Sequence, residues 1–305
     1  MDEIAEMKYN DTANYIKPGR IGDIGCAVGS WIKLACQDPR LRESDFYGIE
    51  VSRHLFDICQ QRKNNGEFQN PFVFFSQKNA VTGLVFDKGS MNTIFTSSLT
   101  HEIESYGSRE DLIRFIRNRY DELVIGGVWI NRDVVGPENK EQTVYMHLNR
   151  ADGRNDDFEA EFSGREELAA YLSGLSTYRR FKRFAKDFRR QEGYQLRYQE
   201  KLIDGVYLIE LTLKDATEFI TKKDYTDNWM SEMHETFAFW SFSEWKEEME
   251  RTGFEVSAQS IVFSNPWIVE NRFKGKVELY TCEEGKLVWM DYPVTNMFLI
   301  AERNI

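Results

Sequence analysis

The chain has 305 residues and a formal net charge of −11, with 29% charged and 14% aromatic residues. That length buries a substantial core, and the acidic balance excludes a protein coated all round with nucleic-acid-binding charge. No run of about 18 apolar residues is present to span a membrane, and the polar start MDEIAEMKYND lacks the apolar segment of a secretory signal, so a cytoplasmic location is the default expectation.

In chain order, a weakly amphipathic lead-in, Ile4 to Tyr15, is closed by Pro18-Gly19. A short apolar strand, Ile21 to Ile24, then runs into a turn holding Gly25 and Gly29, and an amphipathic helix begins near Ser30. Strand, glycine turn and helix start make a nucleotide cradle, because glycine lets the backbone approach a ligand and the first helical turn offers unpaired N–H groups. A second strand spans Asp45 to Glu50, and a helix from Ser52 to Asn64 follows with Ser52 as its N-cap. Phe72 to Phe75 is read as a third strand and Met91 to Ser97 as a fourth; the helix Arg109 to Leu123 leads to a fifth at Gly126 to Asp133. Strands alternating with helices at this spacing imply a parallel sheet with right-handed crossovers. From about Pro137 the alternation stops. Residues 138 to 250 are rich in charge and aromatics, with helical periodicity at Arg165 to Leu175, Tyr178 to Phe188, Leu213 to Lys222 and Ser243 to Arg251. Val206 to Leu211 is left open between a strand and a buried helical start. The alternating pattern then resumes at Gly253 to Val256, Ile261 to Phe263 and Thr295 to Ala301. The cysteines Cys26, Cys36, Cys59 and Cys282 show no C-x-x-C spacing and are read as structural thiols.

The turn reads G-D-I-G-C-A-V-G, with Asp23 inside the strand, and a second acid, Glu50, ends the next apolar run. In these residues the chain resembles the class I S-adenosylmethionine-dependent methyltransferases. Their first motif reads D/E-x-G-x-G-x-G and an acid closing the second strand holds the ribose hydroxyls; here Ala27 stands where the motif has its second glycine. The Gly126-Gly127 run and the closing strand pair add to the likeness. The resemblance implies an α/β fold: a doubly wound, mostly parallel seven-stranded sheet with helices on both faces, plus a helical insertion between strands 5 and 6. Residues 1–137 and 252–305 would form the cofactor-binding domain, and 138–251 a mainly helical lid over the acceptor pocket. It further implies S-adenosylmethionine as cofactor. The residues holding it would be Asp23, Gly25, Cys26, Ala27, Gly29 and Trp31 around the first turn, Glu50 and Val51 after the second strand, Asn79 and Ala80 after the third, and Ser97 at the end of the fourth. Asn79 is the candidate for the adenine amino group.

Methyl transfer from a sulfonium is an in-line displacement, so the acceptor must be held against the methyl group, with a base where the acceptor has to lose a proton. The loop after the fourth strand lies at the carboxyl end of the sheet, where ligands gather. It carries His101 and Glu102, the candidate base and the carboxylate that would orient it, and Tyr106, a candidate pocket wall. Asp133 at the fifth-strand end is assigned to the acceptor side. So are Tyr225, Trp229, Glu232 and His234, because aromatics interspersed with carboxylates suit a polar or cationic acceptor. His101, Glu102, Asp133 and His234 could be proposed as ligands of a divalent metal, but no glutamate–histidine cluster of the E-x-x-E-H-H form is present and no metal is assigned.

Tyr178 to Lys201 holds nine Lys/Arg against three Asp/Glu, and its Phe181, Phe184 and Phe188 fall on one helix face. The leading reading is methylation of a small or medium-sized polar acceptor at O or N. The alternatives are RNA methylation along the basic strip, a non-catalytic cofactor-binding protein, and an NAD-dependent dehydrogenase, whose acid about 20 positions beyond the glycines Glu50 would also match.

Overall fold

A computed structural model describes residues 2–156 and 159–304. The strands along them are β1 Arg20–Ile24, β2 Asp45–Glu50, β3 Val73–Gln77, β4 Met91–Ser97, β5 Leu123–Val134, β6 Thr143–Leu148, β7 Gln199–Ile203, β8 Val206–Thr212, β9 Phe254–Val256, β10 Ile261–Phe263, β11 Val277–Glu283, β12 Lys286–Met290 and β13 Asn296–Arg303. They divide between two compact units. The first comprises Met1–Asp133, Glu244–Ile261 and Met297–Ile305; the second comprises Val134–Ser243 and Val262–Asn296.

The large sheet has the order β10-β13-β5-β4-β1-β2-β3, with β9 pairing to β13. The pairs β1–β2, β1–β4, β2–β3 and β4–β5 are parallel, whereas β9 runs antiparallel to β13. The central strands are apolar on both faces, Ile21 and Ile24 on β1, Phe46 and Ile49 on β2, and Ile94 and Phe95 on β4, as a sheet flanked by helices requires. This is the expected doubly wound sheet, with one short strand more than the seven expected. Gly253 to Phe263 forms two strands around a turn at Ser257–Ser260. Parallel strands end together, so the turns after β1, β2, β4 and β5 gather at one edge of the sheet.

The second unit departs from the expectation of a mainly helical insertion at 138–251. It is built on a five-stranded sheet, β12-β11-β6-β8-β7, antiparallel in each recorded pair. Val262–Asn296 supplies two of those strands, and the helix Phe242–Thr252 belongs from Glu244 onward to the first unit. Val206 to Leu211 is a strand. The helices Arg165–Gly174, Thr177–Asp187 and Leu213–Lys222 form close to where periodicity placed them. Their apolar faces, including Leu172, Phe181, Phe184 and Phe219, meet Val144, Met146, Ile209 and Leu279 of the sheet in one core. A hairpin signal was present in the sequence. Asp204 and Gly205, at φ 52° and 78°, form the left-handed pair that joins β7 to β8, the chemistry of a two-residue hairpin turn.

Candidate functional site

The turn after β1 is shaped by backbone that only certain residues tolerate. Gly25, Ala27 and Gly29 all have φ in the left-handed region, at 75°, 48° and 74°. A Cβ at Gly29 would also meet the rings of Phe75 and Phe68 at 3.1–3.2 Å. Ala27, at the motif's second glycine position, adopts the conformation a glycine would, at some cost in strain. Among the described residues of the first unit, the one other non-glycine with such a φ is Ser98, at 53°, in the turn after β4. Both strained residues therefore sit in turns at the carboxyl edge of the sheet.

Glu50 ties the first two turns together. Its carboxylate accepts the Ala27 N–H at 2.9 Å and the Ser52 N–H at 2.8 Å, one on each oxygen. A carboxylate has about four lone-pair positions, so each oxygen keeps capacity for a further donor. Asp23, by contrast, is 3% exposed, and its carboxyl makes no hydrogen bond to any described residue. Burial, reinforced by the nearby Glu50 charge and opposed by Lys8, pushes its carboxyl up to about 7. The Ser97 hydroxyl at the end of β4 is buried without a hydrogen-bond partner. Buried polar groups are rarely left unsatisfied, and the Asp23 carboxyl and the Ser97 hydroxyl are exceptions at this edge of the sheet.

Behind this edge runs a continuous hydrogen-bonded chain. Trp129, Asn131 and Asp133 alternate on one face of β5, and Asn131 lies in register with Thr96 of β4. The Trp129 indole N–H donates to Thr96 Oγ1 at 2.9 Å, which donates to Asn131 Oδ1 at 2.9 Å. Asn131 Nδ2 donates to Thr100 Oγ1 at 3.3 Å, and that hydroxyl donates to Asp133 Oδ2 at 2.7 Å. The same oxygen accepts the Leu99 and Thr100 N–H groups, holding the start of the helix Thr100–Tyr106. The other oxygen, Oδ1, lies 2.6 Å from His101 Nδ1. A carboxylate only accepts, so Nδ1 carries the proton and Nε2 is the basic nitrogen.

The carboxylate on His101 Nδ1 is thus Asp133, which the sequence had assigned to the acceptor side. Glu102 is the next helical residue, about 100° round the axis, and its side chain is exposed. The pairing joins residues 32 apart, and its signal was the alternation W-x-N-x-D that closes β5.

The remaining expected cofactor residues fall into two groups. Val51, 62% exposed, follows Glu50, and Asn79, also exposed, turns its side chain onto the Val81 N–H at 2.9 Å, next to the buried Ala80. Cys26 and Trp31 instead pack inward. The neighbouring Cys59 thiol and burial hold the Cys26 thiol well above the usual thiol range. Trp31 stacks on Phe95 at 4.3 Å and donates to Thr12 Oγ1 at 3.2 Å, anchoring the N-terminal helix Asp2–Thr12.

Tyr106, at the end of its helix, is 60% exposed. In the second unit, Trp229 is buried in the core and donates its indole N–H to Asp187 at 2.8 Å; His234 pairs with Glu192 at 2.7 Å. Trp229 and His234 both line a cavity of about 740 Å³ bordered also by Phe162, Arg183 and Arg190. Tyr225 packs edge-on to Phe237 with the Arg272 guanidinium over its ring, and Glu232 ends the short helix Trp229–Glu232. Among the described residues no group of three or more His, Cys, Asp or Glu is placed to hold a metal, and no helix is long and apolar enough to cross a membrane.

No family model matches the sequence, and no curated protein matches it. Solved structures do. An S-adenosylmethionine-dependent methyltransferase from Mesorhizobium loti aligns over 98% of both chains with a TM-score of 0.51 at 12% identity. A geranyl diphosphate C-methyltransferase from Streptomyces coelicolor, solved with S-adenosyl-L-homocysteine, aligns over 99% of this chain and 81% of its own, with a TM-score of 0.49 at 10% identity. The Mesorhizobium likeness carries the conclusion that the chain has the Rossmann-like fold of these methyltransferases.

Proposed function

We propose that this protein is an S-adenosylmethionine-dependent methyltransferase acting on an O or N atom of a small or medium-sized polar acceptor. The observation that carries the reading is the sheet order. The last strand, β13, lies between β5 and β10 and pairs antiparallel with β9, whereas a dinucleotide-binding sheet keeps its strands in the order 3-2-1-4-5-6. The cradle's chemistry fits the cofactor. Glu50 has lone pairs for the ribose hydroxyls, Val51, Asn79 and Ala80 border the adenine position, and Asp23 and Ser97 offer unpaired polar groups to its amino-acid end. When bound, the cofactor supplies a methyl group made electrophilic by the sulfonium sulfur. His101, held by Asp133 with its proton on Nδ1, takes the proton that an acceptor hydroxyl or ammonium must lose.

The second unit has a cavity of its own in which aromatic and charged side chains mix, a lining that suits a polar small molecule. Part of the basic strip supports the small acceptor over RNA, because four of its nine cations are already paired with acids of the same unit. Arg180 bonds Asp224 at 2.9 Å, Arg183 bonds Asp187 at 2.6 Å, Lys186 pairs with Glu161 at 2.7 Å, and Lys182 pairs with Glu200. A phosphate track needs such charges available.

The test is transfer of tritium from methyl-labelled S-adenosylmethionine to a panel of hydroxyl and amine metabolites and to bulk RNA. Label is expected on a small acceptor. His101→Gln and Asp133→Asn should each lower that rate by about 10²-fold or more, the usual contribution of a positioned base. Label on RNA alone, falling steeply with salt, would overturn the acceptor assignment.

A further inference from the structure

We propose that the N-terminal helix Asp2–Thr12 completes the cofactor site, with Lys8 as the counter-charge to the carboxylate of the cofactor's amino-acid end, opposite Asp23, which takes its ammonium. The inference rests on the S-adenosylmethionine reading and specifies how this chain would grip that molecule.

The helix is fixed in place by side chains on three of its positions. The Tyr9 hydroxyl donates to Asp38 Oδ2 at 2.6 Å while its ring meets Trp31 edge-on, with centroids 6.0 Å apart. Thr12 Oγ1 accepts the Trp31 indole N–H at 3.2 Å and donates back to Lys8 O at 2.8 Å. Asp11 pairs with Arg132 of β5 at 3.2 Å. These contacts hold the intervening turn, and with it Lys8, over the carboxyl ends of β1, β4 and β5.

There the Lys8 ammonium lies 3.5 Å from Ser98 Oγ, in the strained turn after β4, and within the fields of Asp23, Asp133 and Arg132. Burial and the Arg132 charge lower its pKa. Lys8 forms no ion pair with any described residue, and the Asp23 carboxylate has no hydrogen bond. A half-buried cation, held only by a long hydrogen bond to Ser98, and a buried anion that feel one another yet form no ion pair leave the desolvation of the anion uncompensated. An amino-acid group carries an ammonium and a carboxylate on one carbon. Placed between the two side chains, it satisfies both at once, with the Ser98 hydroxyl that already holds Lys8 as a further partner.

The experiment is calorimetric titration of the wild-type chain and Lys8→Met with three nucleosides. S-adenosylhomocysteine carries both charges, its decarboxylated aminopropyl analogue keeps only the ammonium, and 5′-methylthioadenosine has neither. Wild type is expected to bind S-adenosylhomocysteine about tenfold or more tighter than the decarboxylated analogue, the scale of one charged hydrogen bond. In Lys8→Met that gap should close to within about twofold, with 5′-methylthioadenosine binding as in wild type. Equal weakening of all three probes would make Lys8 a packing residue and overturn the proposal, as would an undiminished preference for the carboxylate. Failure of wild type to bind any of the three would instead remove the cofactor reading on which the proposal stands.

Discussion

Asp23 shows how a residue can serve a site at the expense of the fold. A carboxyl pushed up to about 7 by burial keeps its proton to higher pH in the folded chain than in the unfolded one, where the ordinary value is 3.8. Between those values the folded state binds more protons, so this residue's contribution to stability falls as pH rises from about 4 to 7 and stays low above that. Asp23→Asn is therefore expected to match wild-type stability at pH 4 and to exceed it by about 2–4 kcal/mol at pH 8. Thermal unfolding at the two pH values checks this; equal stabilisation at both would mean the effect is not ionic. The same variant should bind S-adenosylhomocysteine more weakly, because the carboxylate that costs stability is the one assigned to the ligand's ammonium. Ala27 belongs to the same pattern at smaller scale, a β-carbon held at φ 48° where glycine would be relaxed.

Among the elements, the helix Thr177–Asp187 separates what its sequence states from what the fold does with it. The three-and-four spacing of Phe181, Phe184 and Phe188 predicted an apolar face, and the structure buries it. Phe184 stacks on Phe188 at 4.8 Å and meets Phe219 and Trp229 at 5.4 and 6.4 Å. Phe184→Ala should cost about 3–5 kcal/mol in urea unfolding. Lys186→Gln, on a charge paired only with exposed acids, should cost less than about 1 kcal/mol. A similar cost for both would contradict a core role for the ring.

The cations of that helix carried no label for their use. Periodicity cannot tell a solvated charge from one folded onto Asp224 or Glu200, since those partners lie 44 and 18 residues away. Strands were legible by the same rule. β1, β2 and β4 are apolar runs between turn residues, whereas β7, Gln-Glu-Lys-Leu-Ile, and β11 are polar on one face and read as irregular chain until their partners are known. His101 was legible by its place after β4; its partner Asp133 was not, because a contact across 32 residues exists only once β4 and β5 pair.

For the whole molecule, the order of the large sheet decides between functions that share a glycine turn and an acid at the end of β2. Local sequence fits a nucleotide of either kind, and the position of β13 favours the methyl donor over a dinucleotide. The second unit adds an antiparallel sheet assembled from two separated segments, which explains why its boundaries could not be read from a change in composition alone. The net charge of −11 and the pairing of Arg180 and Arg183 with acids support the proposed small acceptor over a polyanion.

The most direct measurement is calorimetric titration of the purified chain and its Glu50→Ala variant with S-adenosylmethionine, S-adenosylhomocysteine and NAD. Wild type should bind both sulfur nucleosides and not NAD. Glu50→Ala should weaken that binding by about 10-fold or more, through loss of the ribose contacts and of the tie between the first two turns. Binding of NAD alone, or unchanged binding of the sulfur nucleosides by the variant, would contradict the account of the site.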